Sequence, residues 1–157
     1  FYCDEEYDFL GMRKFILGDL RLKGINMVQK TKVLCVCARG MNRSQYLAKY
    51  LRRKGYSTRA GGSQPFKDPN KPWNPISQED VNWAEVIIVM EKWILQIIKK
   101  NFKIKNKKII QLEVIDVPRL VPEEFKHLRE LDKKEFNKRW TYPQLRKSIK
   151  PRLPLKT

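Results

Sequence analysis

The sequence predicts an α/β domain built on an open, mostly parallel sheet of about four strands flanked by helices. Three observations predict it. Short apolar runs at 32–37, 86–90 and 108–112 have the length and composition of buried strands. Between and after them, apolar residues repeat at helical spacing, as in Leu47, Tyr50 and Leu51 or in Trp93, Ile94, Ile97 and Ile98. The chain has 157 residues and is 41% hydrophobic, enough for one domain with a core of its own.

Residues 1–30 read as an N-terminal extension, acidic from Asp4 to Asp8 and basic later. Gly11, Gly18 and Gly24 each weaken a long helix there by roughly 1 kcal/mol relative to Ala, so only short pieces such as 12–17 remain open to helix. The core domain spans 31–140 and opens with the strand 32–37, apolar enough to be buried on both faces. A polar loop with Gly40 follows, then a helix from Ser44 to Lys54 closed by Gly55. Residues 56–60 read as the second strand, ended by Gly61 and Gly62. Pro65, Pro69, Pro72 and Pro75 make 63–75 a surface loop. Ser77 and Asp80 have the spacing of a capping box for a short helix through Trp83. A strand at 86–90, a helix beginning near Trp93 and a strand at 108–112 come next. Residues 123–138 are expected to form one helix, opened by Pro122, with Phe125, Leu128, Leu131 and Phe136 inward. The fold closes in a basic C-terminal helical segment, and 141–157 are assigned as a basic, Pro-containing tail.

Charge is the loudest feature of the composition. Lys and Arg number 34 against 17 Asp and Glu, a formal +17. That balance favours anionic partners: a phosphorylated substrate, nucleic acid, an acidic protein or an anionic membrane surface. Lys99, Lys100, Lys103, Lys105, Lys107 and Lys108 form a dense run that reads either as a solvated face or as a contact for nucleic acid or an acidic protein. No apolar run approaches the ~20 residues of a membrane-spanning helix, and the acidic start does not fit a signal peptide. Three cysteines give no disulfide framework, which suits a reducing, cytoplasmic setting. No metal and no cofactor is expected.

The chemistry concentrates at Cys37-Ala-Arg-Gly-Met-Asn-Arg-Ser44, a C-x5-R-S pattern between a strand and a helix. A loop bending around an anion turns its backbone N–H groups inward, so Ala38, Arg39, Gly40, Met41, Asn42 and Arg43 are candidate phosphate binders. The helix beginning near Ser44 adds its positive N-terminal end. Arg43 can bind two phosphate oxygens with its planar fork. Such a field favours a Cys37 thiolate able to attack phosphorus, and Ser44 can donate a hydrogen bond to that thiolate. Gly40 supplies backbone freedom at the tight turn. The bland alternative is a cysteine ending a buried strand and an arginine on the surface; the strand, helix, glycine and serine around the pair weigh against it. Cys35 reads as a small core residue.

Asp116 follows a strand and precedes Pro118, where it can serve as general acid or form a local turn bond; Asp68 and Asp80 are weaker alternatives. Phe66 and Trp73, in the Pro-rich loop, can line the mouth of the site and stack on an aromatic substrate, or simply anchor the loop. Arg39 can face an acidic flank of the substrate, and His127 reads as a helix-surface residue.

These segments resemble the low-molecular-weight protein tyrosine phosphatases, in particular a bacterial-type predicted branch. The similarity lies in 33–44, in Arg59-Ala-Gly-Gly62, in Trp83-Ala-Glu-Val-Ile-Ile-Val-Met-Glu91 and in Ile115-Asp-Val-Pro118, covering about residues 32–118. The resemblance implies that family's fold, and hydrolysis of a phosphomonoester, phosphotyrosine on a protein foremost, through a phosphocysteine intermediate. Departures are visible. Gly40 stands where the family commonly has Asn, Asn42 where many members have a second Cys, and Gln45 where Pro is usual. The family's Asp-Pro-aromatic general-acid motif near the C-terminus is absent, and Asp116-Val-Pro is its nearest counterpart. A weaker similarity, carried by Asn42-Arg-Ser44 and 51–59, is to the serine phosphatases of the RNA polymerase C-terminal domain. Arsenate reductases of this fold need cysteines downstream, and none follows Cys37. The other class of reading keeps the fold as a binding module for nucleic acid or for a phosphorylated or acidic protein, with little catalysis.

Overall fold

A computed structural model describes residues 28–63 and 69–157 of the chain; the assignments made for residues 1–27 of the N-terminal extension, for Phe66 and for Asp68 lie outside the described residues. Four strands form one sheet: β1 (Lys32–Cys37), β2 (Ser57–Gly62), β3 (Val86–Val89) and β4 (Lys108–Gln111), in the order β2-β1-β3-β4. All three pairings are parallel, with Cys37 beside Gly62, Val36 beside Val89 and Val89 beside Gln111. The open α/β architecture expected from the sequence is the one observed.

The apolar runs became strands because their residues have nowhere else to go. Val33 to Val36 and Val86 to Val89 are completely buried, covered on both faces as a parallel sheet requires. Helix α1 (Arg43–Arg53) presents Leu47, Ala48 and Leu51 to that sheet. Helix α2 (Gln78–Trp83) starts on the expected capping box: the Ser77 hydroxyl accepts from the Asp80 N–H at 3.2 Å, and the Asp80 carboxylate accepts from the Ser77 N–H at 2.9 Å. Helix α3 (Lys92–Asn101) buries Ile94 and Ile98, whereas Trp93 stays 37% exposed.

The order matters for function. The chain runs from β1 outward to β2, then crosses β1 to lay down β3 on its other side. Connections diverge at β1, and in such sheets the crevice at the strands' carboxyl ends is the natural ligand site. The loops after β1, β3 and β4 meet there.

One expectation fails in the C-terminal part. Residues 123–138 do not form a single helix. A 3-10 helix spans Glu123–Leu128 with non-helical angles at Phe125 (φ −109°, ψ 18°), and a short helix α4 (Lys133–Phe136) starts afresh, capped by Asp132, whose Oδ1 accepts from the Glu135 N–H at 2.9 Å. Val121, Leu128, Phe136 and Trp140 gather in a small core of their own, which the kink permits and a straight helix would not. Phe125, expected inward, is 38% exposed and tilts against Trp140 with ring centroids 5.1 Å apart. A π-helical turn (Asn137–Thr141) then leads into helix α5 (Tyr142–Ile149). Pro143 near the start of α5 has no N–H and its ring would press on a carbonyl of the preceding turn, and the wider turn relieves both problems.

Residues 141–157, assigned from the sequence as a tail, are built into the domain. Leu145 and Ile149 of α5 are completely buried, and Leu155 nearly so, in the same core as the strands. The Leu155 N–H donates to the Tyr56 hydroxyl at 2.9 Å. Within the lysine run, Lys107 donates to the carbonyls of Asn82 and Ala84 and Lys108 to that of Lys156, so these two brace the edge of the sheet remote from the crevice. Among the described residues no helix is long and apolar enough to cross a membrane.

Candidate active site

Strand β1 delivers Cys37 to the crevice, and α1 begins six residues later at Arg43. The loop between them curls back over the sulfur. Gly40 turns it with φ +76°, and its N–H donates to Cys37 Sγ at 3.3 Å. Ser44 Oγ lies 3.2 Å from the same sulfur. Cys37 is 4% exposed and Ser44 not at all. The Gly40 N–H, which donates to the sulfur, and the Ser44 hydroxyl thus meet Cys37 at the amino end of an eleven-residue helix with no acidic residue in its first turn, where the helix end favours an anion.

The curl is braced from outside. The Gln45 amide donates to the Gly40 carbonyl at 2.9 Å, so the residue standing where Pro is usual fastens the turn. The Asn74 N–H donates to the Arg39 carbonyl at 2.8 Å, and the Asn74 carbonyl accepts from the Gly62 N–H at 2.7 Å. A Cβ on Gly40 would sit 2.4 Å from Asn74 O and from Gly62 N. The carboxyl end of β2 and the end of the Pro-rich loop therefore press directly on the turn. Asn74 went unnoticed in the sequence, where nothing but its place in the Pro-rich segment marks it.

Arg43 is 3% exposed and heavily engaged. Its NH1 donates to Glu91 Oε2 at 2.7 Å and to the Val114 carbonyl at 2.6 Å. Its Nε lies 3.3 Å from Asp116 Oδ2, close enough for an ion pair. The N–H is not aimed at that oxygen, however, and among the described residues this buried donor has no hydrogen-bond acceptor. Glu91, from the loop after β3, is a site residue that the sequence reading did not single out, although it closes the stretch compared with the family above. Asp116 arrives from the loop after β4, as expected, and Asn42 Nδ2 donates to its Oδ2 at 3.4 Å.

These groups face a cavity of about 360 Å³ whose floor is Cys37, Ala38, Arg39, Met41, Asn42 and Arg43. Glu91 and Asp116 line one side; Pro72, Trp93, Leu120 and Lys133 contribute to its walls. Trp73 does not. It lines a separate cavity with Ser63, Pro75, Ile76 and Phe102, because the bracing of Asn74 turns the loop so that Pro72 and not Trp73 meets the crevice. Among the described residues, the aromatic ring that lines the crevice is Trp93. Asp80 is remote from it, committed to Ser77 and to Arg59 at 3.0 Å. His127 is exposed on its 3-10 helix, as expected. Cys35 is completely buried, and burial first, then the neighbouring Cys37, push its thiol well up, which suits an inert core residue. Among the described residues no cluster of His, Cys, Asp or Glu could hold a metal ion.

A parallel sheet of this order, with a cysteine-to-arginine loop at the carboxyl end of its first strand, is the fold of the low-molecular-weight protein tyrosine phosphatases. The solution structure of the low-molecular-weight protein tyrosine phosphatase from Tritrichomonas foetus matches with a TM-score of 0.55 at 16% identity, over 80% of this chain and 94% of that one. Looser likenesses include a thioredoxin-dependent arsenate reductase from Corynebacterium glutamicum (TM-score 0.47, 17% identity, 90% of this chain and 71% of that one). A low-molecular-weight protein tyrosine phosphatase from Bacillus subtilis follows at a TM-score of 0.44 and 18% identity, over 77% of this chain and 98% of that one. No protein-family model matches the chain, and no curated protein does. The resemblance read from the sequence is borne out in the fold.

Proposed function

We propose that this chain is a cysteine-dependent phosphomonoester hydrolase, acting on a phosphorylated protein, with phosphotyrosine the favoured ester. The observation that carries the reading is a cavity floored by Cys37, the loop that follows it and Arg43, in which the Cys37 sulfur receives the Gly40 N–H. A phosphoryl group is the ligand that such a curled loop and a guanidinium fit. The walls give room for an aryl ring beside Trp93.

The chemistry balances as two displacements. The Cys37 thiolate attacks phosphorus, the S–P bond forms and the P–O bond to the leaving group breaks. Asp116, in its acid form, transfers a proton to the leaving oxygen. Water then attacks the phosphocysteine and gives its proton to the Asp116 carboxylate. The S–P bond breaks, inorganic phosphate departs and the thiolate returns, held by Ser44 and Gly40. Arg43 and the loop N–H groups carry the charge on the phosphoryl oxygens in both steps.

The test is hydrolysis of an aryl phosphate by the wild-type chain and by Cys37→Ser. The variant is expected to lose turnover while still binding phosphate or vanadate. Substantial activity in the variant would remove Cys37 as nucleophile.

A second reading is a phosphate-binding module with little turnover. It draws on the grip of Glu91 and Val114 on Arg43, which commits part of the guanidinium to the protein itself. Absent aryl phosphate turnover together with retained phosphate binding would favour it.

A further inference from the structure

We propose that Asn42, locked by Asn137 and Tyr142 of the C-terminal segment, is the positioning residue that aims Asp116 at the leaving oxygen above Cys37. This rests on the hydrolase reading and assigns a role that the C-x5-R-S pattern does not contain.

Asp116 sits in an irregular stretch between β4 and a 3-10 turn at Pro118–Leu120, so secondary structure alone does not fix its carboxyl. Two contacts do. Arg43 Nε lies 3.3 Å away and Asn42 Nδ2 donates at 3.4 Å, both at Oδ2. That leaves Oδ1 to carry the proton.

Asn42 is in turn held on every side. Its Nδ2 also donates to Asn137 Oδ1 at 3.1 Å, and its Oδ1 accepts from the Tyr142 hydroxyl at 3.0 Å. The Asp116 carboxylate, which can only accept, sets the orientation of the Asn42 amide, and the Asn137 amide and the Tyr142 hydroxyl complete its bonds in that orientation. Asn137 belongs to the π-helical turn and is 6% exposed, and Tyr142 opens α5. The Tyr142 ring stacks on Tyr46 of α1 with centroids 3.9 Å apart and planes 4° from parallel, and Arg146 donates to the Tyr46 hydroxyl. Burial, then Tyr46, push the Tyr142 phenol up, which keeps it the donor the network needs.

A structural role alone would leave one feature unexplained. Asn at a helix N-cap ordinarily accepts from a backbone N–H of the first turn. Asn42 makes no such side-chain bond. Its amide is directed to Asp116 and the C-terminal segment, and the first N–H groups of α1 stay available to an anion.

The experiment compares wild type, Tyr142→Phe, Asn137→Ala and Asp116→Asn on phenyl phosphate and 4-nitrophenyl phosphate across pH. A nitrophenolate leaves without a proton, so only phenyl phosphate depends strongly on the acid. Tyr142→Phe keeps the ring stack and removes only the hydroxyl, so it tests the network without emptying the core. Both positioning variants are expected to lose about tenfold more rate on phenyl than on nitrophenyl phosphate, a partial version of the 10²–10⁴-fold worth of a general acid. The limb on which rate falls as Asp116 loses its proton should also move. The titratable and charged groups that line the cavity with Asp116 are Arg39, Arg43, Glu91, Lys133 and Cys37, with Tyr142 behind Asn42. Combining either variant with Asp116→Asn should add no further selective loss. Equal losses on both substrates, an unmoved pH profile and wild-type thermal unfolding would overturn the positioning role while leaving the hydrolase reading intact. Failure of the wild-type chain to turn over either ester would overturn the hydrolase reading, and this role with it.

Discussion

Gly40 is the position at which the phosphate-type loop should break most sharply, and two substitutions separate the reasons. Gly40→Ala must hold a side chain at φ +76° and place its Cβ 2.4 Å from Asn74 O and Gly62 N and 2.5 Å from Gly61 C. The left-handed conformation costs a non-glycine residue roughly 1–2 kcal/mol, and the crowding roughly another 1–3 kcal/mol, since the atoms met are backbone that cannot swing aside. The expected loss of stability is therefore roughly 2–5 kcal/mol. Gly40→Asn, the residue common in the resembling family, tolerates this φ well. It should escape most of the conformational part and keep the crowding, a loss of roughly 1–3 kcal/mol. Urea unfolding measures both. Alkylation of Cys37, followed by mass spectrometry, reads the site: the displaced turn withdraws the Gly40 N–H from the sulfur, and phosphate should protect the thiol less well. Wild-type unfolding midpoints with undiminished phosphate protection in Gly40→Ala would refute the reasoning, and Asn as damaging as Ala would refute the separation.

Arg43→Lys keeps the charge but loses the fork that reaches Glu91, Val114 and the cavity together, so turnover of an aryl phosphate should fall on the order of 10²-fold or more; near wild-type kinetics would place Arg43 outside the reaction. Asp80 provides the pH test of the scaffold. Partial burial acts to raise its carboxyl, but hydrogen bonds from Ser77 and Arg59 outweigh that and hold it below the usual range. A depressed carboxyl stabilises the fold above its unfolded value and loses the effect as pH falls through its folded value. Asp80→Ala should thus cost about 1 kcal/mol at neutral pH, the ordinary worth of a cap, with the difference from wild type shrinking as the medium becomes acidic. A difference that grows in acid would reverse the assignment.

The legible part of the molecule was the part where one local signal fixes one outcome. Lys32–Cys37 and Val86–Val89 are too short for helices and too apolar for the surface, and a strand covered on both faces is the solution left to them. The C-x5-R-S spacing between such a strand and a helix puts Cys37, Arg43 and Ser44 at one sheet edge whatever the rest of the chain does. Which of the two readings of Trp73 holds, lining the mouth or anchoring the loop, is not legible in composition, because the side of a loop that meets a crevice is decided by tertiary bonds such as those of Asn74, and Trp73 lines a separate cavity. The helical spacing of Trp93, Ile94, Ile97 and Ile98 does not distinguish a ring on the core from one on the rim: Ile94 and Ile98 are buried, whereas Trp93 stays 37% exposed.

The C-terminal third shows the other limit. Phe125, Leu128, Leu131 and Phe136 fit a helical period on paper, yet Asp132 is a good N-cap and stops the helix that the period implies. Pro143 reads as a breaker within a tail, whereas the π turn ahead of it lets α5 continue and carry Leu145 and Ile149 into the main core. That same turn sets Asn137 against Asn42, 95 residues away in sequence. No local pattern could announce this contact, because its value lies in the joint placement of two amides, a carboxylate and a phenol. The phosphate-type loop is written in eight consecutive residues. The network that holds Asp116 is assembled from the loops after β1 and β4, the π turn and the start of α5, so it is visible only once the chain is folded.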